Sequence, residues 1–182
     1  MLNTFVVYVE NKPGALTRVA ALFRRRGFNI DSLTVGRTEK SETSRMTITI
    51  EGDEDQARRI EANLYKLVNV LLVENITHEQ TIMRDLALIK VEATSDTRSR
   101  ILELVNVFRA RVVDLTSESL TVEMTGTEDK IDGLLEVLRP FGVLEMVRTG
   151  IVAIRRGAKI SEAKVSSRSL EPTADKHVSH SV

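Results

Sequence analysis

The chain has 182 residues, with 26 Lys and Arg set against 26 Asp and Glu, so its formal net charge is zero. A hydrophobic fraction of 42% suffices for ordinary cores, while 4% aromatic content, no Trp and balanced charge argue against the basic, base-stacking surface of a nucleic-acid binder. With no Cys there are no disulfides, thiolate metal ligands or thiol nucleophiles. No apolar run nears the ~20 residues that span a bilayer, and Met1-Leu2-Asn3-Thr4-Phe5 lacks the basic and apolar regions of a leader, so a cytoplasmic protein is expected.

Thr4 to Glu10 is rich in β-branched and aromatic residues and stops at the turn cluster Asn11-Lys12-Pro13-Gly14, which predicts a strand running into a loop. Leu16, Val19, Ala20 and Phe23 recur at helical intervals, Arg24-Arg25-Arg26 suits the negative end of a helix dipole, and Gly27 can close the helix. Ile30 to Val35 and the alternating Met46-Thr47-Ile48-Thr49-Ile50 predict two strands. Asp53 and Gln56 have the capping-box form, Ala57, Ile60, Leu64 and Leu67 mark one buried helical face, and Val68 to Val73 reads as a final strand.

After a polar joint from Asn75 to Met83 the pattern repeats. Leu86 to Val91 reads as a strand, Ile101, Leu104, Val105 and Phe108 as a helix face, and Val112 to Leu115 with Leu120 to Met124 as two strands. Ile131, Leu134, Leu135 and Leu138 form another helix face, Val143 to Val147 a strand, and Gly150 to Ile154 a possible short addition. Two βαββαβ units in tandem make an α+β chain of two ferredoxin-like domains. The expected boundaries are 1–76 for the first domain, 77–84 for a linker, 85–158 for the second domain and 159–182 for a mobile tail poor in large apolar residues. Small single-core units with open sheet edges gain by pairing. The strand Ile30 to Val35, with neither Pro nor Lys to guard it, is expected to carry a homodimer contact.

Chemistry concentrates at the first strand-to-helix junction. Pro13 fits an early helical position, Gly14 permits close backbone approach, and the N–H groups of Gly14, Ala15 and Leu16 would point outward at the positive end of the helix, a site suited to a carboxylate. The same residues also read as a plain tight turn. Asn29, beyond Gly27-Phe28, offers an acceptor and donors, and is equally an ordinary turn residue. In one chain it lies at the far end of the helix from Gly14, and a two-fold dimer could unite the two ends. His177 and His180 at helical spacing, the lone His78 and the Arg24-Arg25-Arg26 run are weaker candidates. No paired carboxylates and no nucleotide-binding, hydrolase or metalloprotease signature occur, so neither catalysis nor a metal site is expected.

Glu10-Asn11-Lys12-Pro13-Gly14-Ala15-Leu16-Thr17-Arg18-Val19, followed by Arg26-Gly27-Phe28-Asn29-Ile30-Asp31-Ser32-Leu33-Thr34-Val35 and Ser44-Arg45-Met46-Thr47-Ile48, resembles the ACT domain of the acetohydroxyacid synthase (acetolactate synthase) small, regulatory subunit. The likeness continues through Lys66 to Val70, Arg84 to Val91 and Arg148 to Gly157. It implies a noncatalytic subunit that activates a separate catalytic subunit and confers feedback inhibition by valine, or by leucine or isoleucine. The resemblance places thiamine diphosphate, Mg and FAD on that catalytic subunit and none on this chain. It also implies an effector lying between two ACT domains, bound by Asn11, Lys12, Pro13, Gly14, Ala15 and Leu16 of one copy and Asn29 and Ile30 of the other.

Three other readings compete. A free-standing ACT-type amino-acid sensor would act on a different partner. A ferredoxin-like enzyme would turn over substrate alone. An RNA-binding module of similar topology would need an aromatic pair on its strands, which this chain lacks.

Overall fold

The computed structural model describes residues 1–157. The expected tail 159–182, with His177 and His180, lies outside the described residues. The elements run β1 (Leu2–Glu10), α1 (Ala15–Arg25), β2 (Ser32–Arg37), β3 (Thr43–Glu51), α2 (Glu54–Leu64) and β4 (Val70–Asn75), then β5 (Thr81–Glu92), α3 (Arg98–Val107), β6 (Arg111–Leu115), β7 (Ser119–Gly126), α4 (Glu128–Leu138), a 3-10 turn at Arg139–Phe141, β8 (Val143–Arg148) and β9 (Val152–Arg155). The first sheet has strand order β2-β3-β1-β4 and the second β6-β7-β5-β8, all antiparallel, with β9 paired to the leading half of β5. These are two ferredoxin-like βαββαβ units.

Each unit buries its helices on one sheet face. Phe5, Val7, Val9, Met46, Ile48 and Ile50 meet Val19, Leu22, Phe23, Ile60 and Leu64 in the first core, and Ala87, Ile89, Val91, Val122 and Met124 meet Ile101, Val105, Ile131 and Leu134 in the second. Burying each such aliphatic side chain is worth ~1.5–3 kcal/mol. The Asp53/Gln56 capping box is formed: the Gln56 N–H donates to Asp53 Oδ1 at 2.7 Å and the Asp53 N–H to Gln56 Oε1 at 2.9 Å.

Three local expectations change. The strand drawn at Ile30 starts at Ser32, because Ile30 turns its side chain into the first core and regular pairing begins with Ser32 opposite Thr49. The strand drawn at Val68 starts at Val70, and Val68 sits 88% exposed in the preceding turn. The stretch 77–84, expected as a linker, is strand in its second half, since Thr81 to Arg84 pair with Arg155 to Val152.

That two-stranded ribbon closes the face of the first sheet opposite its helices. β9 crosses the strands instead of running along them. Arg155 Nη1 bonds Glu74 Oε1 on β4 at 2.9 Å, Arg45 on β3 donates to the Ala153 carbonyl, and the Ile151 N–H, just before β9, donates to Ser32 Oγ on β2 at 2.9 Å. Thr34 Oγ1 donates to the Ile151 carbonyl. Beneath the ribbon, Val6, Ile76 and Ala153 form a small buried cluster flanked by Tyr8 and Met83. β5 therefore belongs to both units: Thr81 to Arg84 floor the first, and Ala87, Ile89 and Val91 enter the core of the second.

Candidate functional site

The junction after β1 is tied down by its own loop. The Asn11 N–H donates to the Glu42 carbonyl at 2.7 Å and its side-chain Nδ2 to the Ser41 carbonyl at 2.9 Å. Lys12 lies 3.3 Å from Glu10 Oε2, the same oxygen that accepts from Asn69 Nδ2 at 2.7 Å. The Asn69 amide, followed by the Lys12 ammonium and Arg18, holds the Glu10 carboxyl below its ordinary value against an opposing effect of burial. Exposed Pro13 leads into Gly14, which caps α1 at φ 84°. Glycine meets that left-handed geometry without the Cβ strain that other residues carry.

Of the three amides expected to point outward, one is engaged by the loop itself. Ala15 donates to the Lys12 carbonyl at 3.3 Å and its side chain is buried in the first core, so its amide is already used. The amides of Gly14, Leu16 and Thr17 have no acceptor among the described residues, because Gly14 has no side chain to cap the helix and the first turn carries no acidic residue. α2 instead gives its Gln56 amide to the Asp53 side chain and adds Glu54 and Asp55 to its first turn. The start of α1 thus presents unused donors and the positive dipole end to an incoming anion.

Asn29 is exposed and makes no hydrogen bond among the described residues, and Ile30 is half-buried against the first core. The 11 residues of α1 separate these two from Gly14 by ~16 Å at 1.5 Å per residue. A single chain therefore brings Asn11 to Leu16 together and leaves Asn29 and Ile30 at the opposite end. Among the described residues β2, which follows Asn29, pairs with β3 alone and its outer edge has no strand beside it.

Arg25 and Arg26 line a cleft of about 360 Å³ with Leu22, Asn63, Lys66 and Leu67, where Arg26 donates to Asn63 Oδ1 at 2.9 Å. Among the described residues no group of three or more His, Asp or Glu is placed to hold a metal ion. Likewise no helix among them is long and apolar enough to cross a membrane. Sequence reasoning missed the contacts of Ser32, Thr34 and Arg45 with residues 151–153. Their one visible signal is Gly150, at φ 85°, where an added Cβ would come 2.7 Å from Ser32 Oγ.

Residues 5–72 match the family model of the AHAS small subunit-like ACT domain, and residues 84–157 that of the small subunit of acetolactate synthase. Over 159 residues the chain is 50% identical to a probable acetolactate synthase small subunit from Archaeoglobus fulgidus, covering 87% of this chain and 99% of the relative. The chain belongs to the acetolactate synthase small subunit family. The small subunit of Mycolicibacterium smegmatis is 48% identical over 157 residues, 86% of this chain and 92% of that one. The crystal structure of the Thermotoga maritima small subunit superimposes with a TM-score of 0.81 at 38% identity, over 87% of this chain and 99% of that one. As a member of this small-subunit family, the chain carries its unused helix-start donors on the ACT domain.

Proposed function

We propose that this chain is the noncatalytic regulatory subunit of acetolactate synthase: it activates a catalytic subunit that carries thiamine diphosphate, Mg and FAD, and makes that subunit responsive to a branched-chain amino acid, foremost valine. The observation that carries the reading is the start of α1, where Gly14, Leu16 and Thr17 offer amides that nothing among the described residues accepts. An effector carboxylate sits on those amides. Its ammonium meets the Asn29 amide oxygen of a second copy, and its aliphatic side chain packs against Leu16 and that copy's Ile30.

Such a site forms when two copies join along the free edge of β2. Because both copies contribute, binding favours one dimer geometry, and the catalytic subunit loses activation if it prefers another. A coupling of ~1–3 kcal/mol is the usual size for such linkage. The regulatory domain is assigned to residues 1–76, and the complex to the cytoplasm. The deciding experiment is titration calorimetry with valine, leucine and isoleucine, alone and with the catalytic subunit, alongside assays of that subunit. Saturable binding with activation that valine reverses supports the reading. Binding without any gain in partner activity points to a free-standing sensor instead.

A further inference from the structure

Of the four α-helices among the described residues, only α1 has cations in its last turn. Arg24 and Arg25 stand there, Arg26 follows as the cap, and the helix contains no Asp or Glu. α2, α3 and α4 have no basic residue in the last turn. Matching a helix dipole with cations is therefore not a general device of this fold, and the cluster on α1 needs another explanation. Arg25 and Arg26 share their cleft with Lys66, and Leu22 and Leu67 supply its apolar lining. Among the described residues none of the three cations is in an ion pair, and no carboxylate lines the cleft. Arg26 donates to Asn63 Oδ1, a neutral acceptor that leaves its charge unmatched.

Val68, 88% exposed, follows Leu67 in the same turn. Unmatched guanidinium groups beside a projecting aliphatic side chain suit a protein surface that brings carboxylates and apolar contact together. A small free anion would make no use of Leu67 or Val68. Both walls of the cleft also continue into the candidate effector site. α1 begins at the Gly14 cap, and Asn29 lies just beyond its basic end. The turn that carries Lys66, Leu67 and Val68 leads to Asn69, whose carbonyl accepts the Glu10 N–H at 2.9 Å and whose Nδ2 donates to Glu10 Oε2 at 2.7 Å. A partner seated in the cleft grips the two segments that an effector would also hold, and that is the placement a coupled partner requires.

We propose that this cleft and the valine beside it dock an acidic, partly apolar segment of the catalytic subunit. The proposal rests on the regulatory reading above, and the experiment separates the two. The chain is titrated into the catalytic subunit with activation as the readout, and valine binding to the chain alone is followed by calorimetry. Arg25→Glu combined with Lys66→Glu should raise the concentration for half-maximal activation by at least about tenfold, with valine affinity unchanged. Arg25→Ala combined with Lys66→Ala should act in the same direction more weakly, and Lys130→Glu, at an exposed position on α4, should have no effect. Added NaCl should weaken activation by the parent more than by the double glutamate variant. An unchanged half-maximal concentration in both double variants, or an equal loss in Lys130→Glu, overturns the docking site and leaves the regulatory reading standing. A parent chain that fails to activate the catalytic subunit removes both. Loss of valine affinity in the double alanine variant overturns the docking site as well, since the charges then serve the effector site. Inorganic pyrophosphate that binds the parent through Arg25 and Lys66, with activation indifferent to both residues, assigns the cleft to a free anion and overturns the proposal.

Discussion

The Ile151 N–H donates to Ser32 Oγ at 2.9 Å across 119 residues of sequence, fastening the second unit to the strand that follows Asn29. Its neighbour Gly150 sits at φ 85°, with no room for a Cβ beside that hydroxyl. Gly150→Ala should lower unfolding free energy by about 2–3 kcal/mol, combining left-handed strain with loss of the hydrogen bond. Ser32→Ala alone should cost about 1 kcal/mol. In urea titrations the double variant should fall short of the sum, since both changes break one contact. Strict additivity would show that the two residues do not act through each other.

Gly14→Asp puts a carboxylate where the effector's own carboxylate belongs. An added Cβ at Gly14 meets nothing within 4 Å, so the cost to the chain is the positive φ alone, about 1–2 kcal/mol. Calorimetry should show valine affinity lowered by more than about tenfold, while activation of the catalytic subunit persists. Unchanged valine inhibition in the reconstituted complex would remove the site from the start of α1.

Asn29 has no hydrogen-bond partner among the described residues, so its truncation should be silent for folding and costly for binding. Asn29→Ala is expected to leave the unfolding free energy, read from urea titration, within about 0.5 kcal/mol of the parent. Effector affinity should drop by about tenfold, the usual cost of removing one hydrogen bond to a charged group. Asn29→His should weaken binding as well. A large loss of stability in Asn29→Ala would mean that the residue holds its own loop.

Glu10 supplies a pH dependence with a fixed sign. Its carboxyl titrates below the ordinary value because Asn69 and Lys12 favour the charged form. Stability from a lowered carboxyl pKa is fully present above the ordinary value and fades as pH falls through the folded one. Glu10→Gln should therefore be less stable than the parent at neutral pH, modestly so for a side chain one-third exposed to water. The gap in urea midpoint should close on acidification toward about pH 3. A gap independent of pH would assign the loss to packing.

Much of this architecture was legible in the periodicity. Helical spacing at Leu16, Val19 and Phe23, the Asp53/Gln56 box and the repeated strand pairs all lie in local sequence, and local physics sets them. The ribbon did not show. Met46-Thr47-Ile48-Thr49-Ile50 alternates as a strand with one wet face does, yet Thr47 and Thr49 are 2% and 0% exposed. What covers that face comes from Thr81 to Arg84 and β9, remote in sequence. At the junction, Pro13 and Gly14 announced the turn. The use of the Ala15 amide by Lys12, and of the Asn11 side chain by Ser41, depends on loop closure that residue types alone do not encode.

The twelve residues of β5 leave the polypeptide without a clean point of division. A gene truncation after Asn75 would strip the floor from the first half, wetting Val6 and the buried threonines. The two halves should accordingly melt in a single transition, and shuffling one of them onto a foreign neighbour would require the recipient to bring its own floor.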